Sequence, residues 1–367
     1  MTKTPLYDSH VARGARLVEF EKWQMPLQFS GILPEHRHTR NTVSLFDTCH
    51  MTQFRVEGPK ATEVLSRALA CRITSMQPGQ CRYGFLLNQS GGVIDDLICY
   101  RSEEQQYMIV SNAGTRKQVC QVLDERIGDA ASFADISDET AKLDLQGPAS
   151  ARVLRELYDA PVSELGFFQF MLTELGDFPV FLSRTGYTGE LGYELYLDTT
   201  EVVEVWDRLL QHDDVEPAGL GARDTLRLEM GLPLYGHELD ESTTPLEAGL
   251  GRFLPDEASY VGEEGIDRQR EDGLDVKRVG IQWNGRRAAR SGDDIILDGE
   301  EVGTVTSGAF APSLGCAVAM GYVETEIAKT GQELEAAVRS HRVQGTVEEL
   351  PFYREGTSRT SVKGGVQ

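Results

Sequence analysis

The stretch Val93-Ile94-Asp95-Asp96-Leu97-Ile98-Cys99-Tyr100 is an apolar run interrupted by two adjacent carboxylates. A second apolar run, 81–88, precedes it across the turn Gln89-Ser90-Gly91-Gly92, and this composition predicts a β-hairpin. Because side chains alternate along a strand, two faces are predicted. One face has Ile94, Asp96, Ile98 and Tyr100, and the other has Val93, Asp95, Leu97 and Cys99. Both faces are mostly apolar, so we expect this strand to be buried on both sides.

The two carboxylates of this strand need an explanation, because a buried charge is costly unless it is paired or used. Asp96 is therefore a candidate catalytic acid. Asp95 is closer to the Gly91-Gly92 turn and better suits the alternative, a side chain that caps the turn.

Two glycine-containing segments further along the chain have ligand-binding features. In 183–195, glycines permit close backbone approach, tyrosines can stack on a flat heterocycle, and a glutamate can accept donors from an amino edge. A solvent-facing hairpin is the alternative. In 219–229, Arg223 could bind a carboxylate, Asp224 could cap a helix, and Arg227 and Glu229 could be structural charges.

Composition excludes several classes of function. The 367 residues suggest two or three domains, and 58 acidic against 36 basic side chains give a net charge of −22. That charge argues against nucleic acid and anionic membranes as partners, and no apolar run approaches the ~20 residues of a membrane span. No targeting segment precedes the first helix pattern, and the six cysteines lack CxxC spacing, which favours reduced thiols in the cytoplasm. Of the seven histidines only His36 and His38 are closely spaced, and no second pair completes a metal shell, so no metal site is expected.

The order of patterns suggests how the chain is organised. Helices are predicted at 59–70, 115–127, 148–158, 201–212 and 222–230, and a third strand at 107–112. The decapeptides 56–65 and 145–154 echo each other as strand, Gly-Pro turn and helix, either by chance or as related subdomains. Residues 256–275 look like a connector, a small β-rich domain follows from Arg278, and 356–367 is expected to be a flexible tail.

In this order, the motifs resemble the T-protein family of the glycine cleavage system. The matching segments run through nearly the whole chain: Gly14-Ala15-Arg16, Trp23-Gln24-Met25-Pro26-Leu27, Leu45-Phe46-Asp47, His50-Met51, 91–97, Gln146-Gly147-Pro148, 184–194, 219–229, Tyr235-Gly236, Thr306-Ser307-Gly308 and Pro312-Ser313-Leu314-Gly315. The resemblance implies an α+β fold of three domains in a clover-leaf around a central folate cavity, with a β-barrel-like C-terminal domain. The implied domains are 1–52 with 140–225, 53–139 with 226–275, and 276–355.

The resemblance also implies a reaction and its residues. An aminomethyltransferase of this family moves a methylene carbon from the lipoyl arm of H-protein to tetrahydrofolate, releasing ammonia and forming 5,10-methylenetetrahydrofolate, with no metal. Asp96 matches the catalytic carboxylate. The residues that match the folate site are Met51, Tyr83, Tyr100, Asn112, Tyr187, Glu194 and Arg223. A monomer is implied.

Two departures from the family pattern stand out. Glu263-Glu264 lies where many relatives have a lysine, and Phe167 or Phe168 where relatives often have a tyrosine, so a hydroxyl is expected to be missing. The same fold also serves other folate-dependent demethylases and a non-catalytic folate-binding paralogue of iron–sulfur assembly. The paralogue has a Lys-Gly-Cys-Tyr signature where this chain reads Arg184-Thr185-Gly186-Tyr187.

The net charge raises a question about the carrier protein. Lipoyl carriers are usually acidic, so docking on a chain of charge −22 needs a local basic patch. The best candidate is 286–290, with Arg290 as the predicted docking residue; a solvated loop is the alternative.

Overall fold

The computed structural model describes residues 1–256 and 259–362. Within those ranges the helices are α1 (Tyr7–Ala12), α2 (Ile32–Asn41), α3 (Ala61–Ala68), α4 (Arg116–Ile127), α5 (Ser150–Tyr158), α6 (Val202–Leu209), α7 (Leu220–Glu229) and α8 (Glu263–Asp272). The strands are β1 (Thr2–Lys3), β2 (Arg16–Phe20), β3 (Trp23–Gln28), β4 (Val43–Asp47), β5 (Thr52–Glu57), β6 (Gln80–Leu87), β7 (Val93–Glu103), β8 (Gln106–Ser111), β9 (Ser132–Asp135), β10 (Thr140–Gln146), β11 (Phe170–Leu175), β12 (Phe178–Ser183), β13 (Gly192–Asp198), β14 (Val215–Ala218), β15 (Val276–Trp283), β16 (Asp294–Leu297), β17 (Glu300–Ala311), β18 (Cys316–Glu324), β19 (Glu333–Val338) and β20 (His341–Glu348). The five predicted helices are confirmed.

A six-stranded sheet forms one body of the molecule, in the order β11-β12-β13-β10-β4-β14. Strand β10 alternates: Ala141, Leu143 and Leu145 enter the core, while Lys142 and Asp144 face the opposite side. Helix α6 covers the core face with apolar residues at the i, i+3, i+4 and i+7 positions 202, 205, 206 and 209. This sheet therefore has one apolar face, and a second face where the charged residues Lys142, Asp144 and Glu194 lie among aromatic side chains such as Phe181 and Tyr196. A small sheet, β1-β3-β2, lies near the N-terminus.

A five-stranded sheet, β6-β7-β8-β5-β9, contains the predicted hairpin as β6 and β7. Helices α3 and α4 pack on one face of it. The predicted alternation holds from Asp95 to Tyr100 but is wrong for Val93 and Ile94. Ile94 packs with Leu97 and Cys99, and Val93 lies on the Asp96 face, where it packs with Leu87. The reason is a β-bulge: Asp95 pairs with Leu86 and Val93 pairs with Leu87, which leaves Ile94 without a partner in the register.

The C-terminal body is a closed six-stranded barrel, β15-β18-β17-β16-β19-β20. The Asp298-Gly299 turn between β16 and β17 has positive φ at both residues, 54° and 93°, as a two-residue type I′ hairpin requires. Trp283, Ile281 and Val305 fill its interior. The mixed helix-and-strand fold and the β-barrel at the C-terminus are confirmed.

The two echoing decapeptides adopt the same local structure in different sheets. Gly58 and Gly147 follow β5 and β10 with φ of 133° and 142°. In each case, the glycine carbonyl accepts the first bond of the helix, from Ala61 at 2.9 Å and Ser150 at 3.0 Å. The positive φ explains why glycine stands at both positions.

Two expectations about connecting segments are wrong. The segment 256–275 contains α8, and Ile266 on that helix is fully buried beside Leu239 and Val93, so it packs on the five-stranded sheet; Glu257 and Ala258 lie outside the described residues. The predicted flexible tail is wrong for 356–362, where Val362 is 3% exposed in the core of the six-stranded sheet. Residues 363–367 of that predicted tail lie outside the described ranges.

All six cysteines are free thiols. Among the described residues, no helix combines the length and apolar character that crossing a bilayer requires.

Candidate active site

A cavity of about 2100 Å³ lies where the two sheets and the barrel meet. Its wall includes Asp96 from the five-stranded sheet, Glu194 from the six-stranded sheet and Ser307 from the barrel. Most of the candidate site residues line it, namely Met51, Tyr83, Asp96, Asn112, Tyr187, Glu194, Arg223 and Arg290. The exception is Tyr100, which is fully buried behind the wall.

Both carboxylate oxygens of Asp96 are held by donors from neighbouring strands. The Tyr83 hydroxyl on β6 donates to Oδ2 at 2.9 Å. The Asn112 side-chain amide, directly after β8, donates to Oδ1 at 2.9 Å. Since the hairpin and its third strand place these groups side by side, the Asp96 carboxylate has one fixed orientation towards the cavity.

Asp95 is not a cap of the Gly91-Gly92 turn, as its position in the sequence had suggested. Its side chain is fully buried on the opposite face and accepts the Thr115 hydroxyl at 2.7 Å and the Asn112 backbone N–H at 3.0 Å. The Asn112 side-chain amide also donates to Oδ1 of Asp95 at 2.7 Å. Asp95 therefore fixes the residue that in turn orients Asp96.

Burial governs the protonation of this carboxylate pair. It raises the pKa of Asp95 to about 7, and the adjacent Asp96 charge adds to the increase. Burial also raises the pKa of Asp96, although the bonds from Tyr83 and Asn112 oppose the increase. A carboxyl group whose pKa moves towards neutrality can both accept and return a proton at physiological pH.

Glu194 is the centre of a second polar cluster, on the face of the six-stranded sheet opposite its apolar core. Its Oε1 accepts the Lys142 ammonium at 2.9 Å. Its Oε2 accepts the hydroxyls of Thr185 at 2.7 Å, Tyr196 at 3.0 Å and Tyr100 at 3.1 Å. Tyr100 thus acts on the cavity through Glu194 rather than by lining it.

Arg223 and Tyr187 form a third group. The guanidinium carbon of Arg223 lies 4.9 Å from the centroid of the Tyr187 ring, a cation–π contact. Its Nη1 donates to Oδ2 of Asp144 at 2.7 Å. Burial alone would raise the pKa of Asp144, but the charges of Lys142 and Arg223 lower it below its ordinary value, so Asp144 is an anion between two cations.

The sequence interpretation missed Lys142 and Asp144, which join the second and third groups. Lys142 is 1% exposed and donates to Asp144, and Asp144 stands opposite Glu194 in the register of β10 and β13. The alternation of 141–145, with charged residues at every second position of an apolar strand, was a usable signal.

Arg227 and Glu229 form buried ion pairs, in agreement with the structural role considered for them in the sequence. Arg227 is buried and pairs with Glu238 at 2.9 Å, and Glu229 pairs with Arg40 at 2.9 Å. The expectation that Asp224 caps a helix is wrong, because α7 begins at Leu220 and Asp224 lies within it.

Of the remaining positions, Arg290 and Phe167 line the cavity, whereas Glu263 and Glu264 lie outside its lining. Arg290 is exposed on the barrel and donates to the Gly308 carbonyl at 2.8 Å. Phe167 is 39% exposed, and the guanidinium carbon of Arg359 lies 5.6 Å from its ring centroid. Glu263 and Glu264 occupy the first turn of α8, where negative charge favours a helix.

Six of the seven histidines have protein partners or are buried, and His341 is exposed. His10 contacts Asp47 at 2.7 Å, and His36 contacts Thr225 at 2.8 Å. Burial lowers the pKa of His50 to about 4. Within 1–256 and 259–362, no group of three or more acidic, histidine or cysteine side chains has the geometry of a metal site.

Two family models match the chain. The GCVT N-terminal domain matches residues 6–256, and the glycine cleavage T-protein C-terminal barrel domain matches residues 277–354. The chain belongs to the glycine cleavage T-protein family.

Curated T-protein relatives match over their whole length. An aminomethyltransferase of Halothermothrix orenii is 41% identical over 356 residues, which is 96% of this chain and 100% of the relative. One of Rubrobacter xylanophilus is 40% identical over 100% of this chain and 97% of its own. The family resemblance seen in the sequence and the class of enzyme, an aminomethyltransferase, are confirmed.

A crystal structure of a T-protein has the same fold. The glycine cleavage system aminomethyltransferase T of Bartonella henselae superposes with a TM-score of 0.92 at 37% identity, covering 97% of this chain and 99% of that one. The fold prediction is confirmed over almost the full chain.

Proposed function

We propose that this T-protein family member transfers a methylene carbon from the aminomethyl-dihydrolipoyl arm of H-protein to tetrahydrofolate. The products are 5,10-methylenetetrahydrofolate, ammonia and the dihydrolipoyl arm. The observation that best supports this is the Asp96 carboxylate, which faces a large cavity while donors on two neighbouring strands hold it.

The cavity fits two substrates at once. Its volume of about 2100 Å³ exceeds the roughly 300–1,000 Å³ of ordinary ligand pockets, which leaves room for folate and the end of a lipoyl arm. Acceptors at Asp96 and Glu194, a cation at Arg223 and an aromatic ring at Tyr187 supply the groups that a flat, amino-substituted heterocycle with an anionic tail would need.

The proton balance assigns a task to Asp96. Folate loses two N–H protons when its nitrogens bind the carbon, and these protons leave with ammonia and with the released thiol. Asp96, with a pKa raised by burial, holds and returns one of them and stabilises positive charge on the reacting carbon. Tyr83 and Asn112 fix its orientation.

The remaining candidate residues bind rather than react. Glu194 accepts the amino edge of the pterin, with Tyr100 and Lys142 holding its carboxylate. Tyr187 and Met51 contact the flat ring, and Arg223 supplies positive charge beside Tyr187.

The carrier docks at Arg290, where positive charge interrupts an acidic surface. Arg286 and Arg287 are exposed in the same loop. Docking there would bring the lipoyl arm to the rim of the cavity, since Arg290 lines it.

The protein acts as a monomer of three domains. These are 1–52 with 140–225, 53–139 with 226–275, and 276–355, and the separate cores of the two sheets and the barrel support this division.

One assay tests the proposal. The protein is incubated with aminomethyl-loaded H-protein and tetrahydrofolate, and ammonia and 5,10-methylenetetrahydrofolate are measured, with a methylated sulfonium compound as the alternative one-carbon donor. We expect both products from H-protein alone. Folate binding without ammonia release would indicate a non-catalytic paralogue, and turnover of the sulfonium compound a demethylase.

A further inference from the structure

The C-terminal segment Gly356–Val362 crosses back from the barrel and lies along the 184–191 loop. Ser358 donates its backbone N–H to the Gly189 carbonyl at 3.0 Å. The Thr357 hydroxyl donates to Oε2 of Glu190 at 2.5 Å and accepts the Leu191 N–H at 2.9 Å. Two segments that belong to no sheet, the C-terminal segment and the 184–191 loop, are thus hydrogen-bonded to each other.

The segment is fixed at both of its ends. Before it, the Tyr353 N–H donates to the Glu229 carbonyl at 2.9 Å. After it, Val362 is buried in the core of the six-stranded sheet. Between these anchors, Arg184 donates to the Ser358 and Thr360 carbonyls at 3.2 and 2.5 Å. Residues 356–362 follow the last residue matched by the family models, 354.

The contact with the loop is too close for a side chain at residue 356. A Cβ added to Gly356 would lie 2.5 Å from the Gly189 carbonyl oxygen. Since a backbone oxygen cannot move aside as a flexible side chain can, an alanine there would push the two segments apart.

The loop under this segment bears two of the polar groups of the cavity. Tyr187 stacks with Arg223, and Thr185 donates to Glu194 at 2.7 Å. The loop lies between β12 and β13, so no ladder of strand hydrogen bonds fixes it. The C-terminal segment supplies hydrogen bonds at Gly189, Glu190 and Leu191, two to four residues from Tyr187.

We propose that Gly356–Val362 is a strap that holds the 184–191 loop in its folate-binding conformation, with Thr357 as a positioning residue. The proposal rests on the proposed function. The strap contacts the loop, whereas Asp96, Tyr83 and Asn112 belong to the five-stranded sheet. Loss of the strap should therefore weaken folate binding while leaving the reaction of bound folate nearly intact.

The test uses full-length variants and two measurements, the Kd for tetrahydrofolate and the split between KM for folate and kcat. Thr357→Val keeps the shape and the backbone N–H bond to Glu190 but loses the two bonds of the hydroxyl, to Glu190 and Leu191. We expect Kd and KM to rise about tenfold, the typical effect of losing a hydrogen bond to a charged group. Gly356→Ala should raise them too. Thr357→Ser keeps the hydroxyl and should stay within about twofold of wild type. Ser358→Ala is the control. Ser358 bonds to the loop through backbone atoms, which the substitution keeps, so Kd and KM should equal those of the wild type.

The outcomes separate the strap from the function beneath it. A wild-type Kd in both Thr357→Val and Gly356→Ala, with folate turnover in the wild type, would overturn the strap alone. An equal loss in Ser358→Ala, or a fall in kcat as large as the rise in KM, would also overturn it. A wild type that neither binds nor turns over folate would remove the proposed function and the strap together.

Discussion

The Tyr83 hydroxyl donates to Oδ2 of Asp96 at 2.9 Å, from the strand that pairs with its own in the hairpin. The bond favours the charged form of Asp96 and so opposes the increase in pKa that burial causes. It also holds one carboxylate oxygen in place, so the carboxylate cannot rotate freely. Together with Asn112, Tyr83 therefore controls both the orientation and the proton affinity of the proposed catalytic group.

Tyr83→Phe should slow the reaction and shift its pH dependence. Removing the donor raises the pKa of Asp96, so the acidic limb of the rate profile, where activity appears as Asp96 ionises, should move to higher pH. We expect kcat near neutral pH to fall about tenfold, equivalent to the ~1.5 kcal/mol of a hydrogen bond to a charged group. A pH profile of kcat checks this.

Tyr107→Phe is the matched control for that variant. Tyr107 is also buried and bonds to Thr62 at 2.7 Å, but it packs in the helix-covered core of the sheet. Its pH profile should equal that of the wild type. An unshifted acidic limb in Tyr83→Phe would contradict the role given to Tyr83.

Lys142→Met should destabilise the fold strongly. It leaves the buried carboxylates of Asp144 and Glu194 without their shared cation, and breaking a buried pair in this way costs ~3–5 kcal/mol. Urea unfolding measures the loss. Arg67→Ala breaks an exposed pair with Glu63 and should cost less than about 1 kcal/mol. Similar losses in both variants would show that the Lys142 cluster is not a coupled buried network.

His50 should make the protein sensitive to mild acid. Burial lowers its pKa to about 4, so below its unfolded value of 6.5 the unfolded chain binds a proton that the folded protein does not. Stability from this group is complete above 6.5 and is lost as pH falls towards 4. Relative to His50→Gln, the wild type should lose about 2 kcal/mol of unfolding free energy between pH 7 and pH 5.

Urea unfolding at several pH values tests that difference, with His341→Gln as control. His341 is exposed at the start of β20, so its replacement should leave the pH dependence of the wild type in place. Parallel curves for the wild type and His50→Gln would show that His50 does not cause the acid sensitivity.

Arg290→Glu should impair use of the carrier more than binding of folate. Reversing a charge at the rim of a docking site slows encounter with an acidic partner, so we expect kcat/KM for aminomethyl H-protein to fall at least about tenfold with the folate Kd unchanged. The difference should shrink at high salt. Arg270→Glu, an equal reversal of an exposed arginine on α8, is the control. Equal loss of carrier use and folate binding would argue against docking at Arg290.

The sequence predicted what depends on local pattern. Alternation along 95–100 placed Asp96 and Tyr100 on one face, and the apolar spacing of 201–212 predicted the helix that is α6. Val93 and Ile94 were placed on the wrong faces because a bulge is a property of two paired strands, and one strand alone does not reveal it.

Other predictions were wrong because they depend on contacts between residues that lie far apart in the sequence. The 256–275 segment looked like a connector because α8 has few apolar residues. Its one buried residue, Ile266, packs against Leu239 and attaches the helix to the five-stranded sheet. The 356–362 segment is polar, and its order depends on Arg184 and Glu190, more than 160 residues away. The alternation of 141–145 marks Lys142 as a buried charge, but its partner Glu194 lies on another strand, and the pairing of the two strands is not visible in the sequence.

The central claim is that Asp96 assists the chemical step rather than folate binding. Asp96→Asn keeps the size of the side chain and an oxygen for one of its donors, but it cannot take a proton. The direct measurement is the Kd for tetrahydrofolate beside the rate of 5,10-methylenetetrahydrofolate formation from aminomethyl H-protein. We predict a Kd within about threefold of wild type and a rate at least roughly 100-fold lower. Turnover at the wild-type rate in Asp96→Asn would contradict the account.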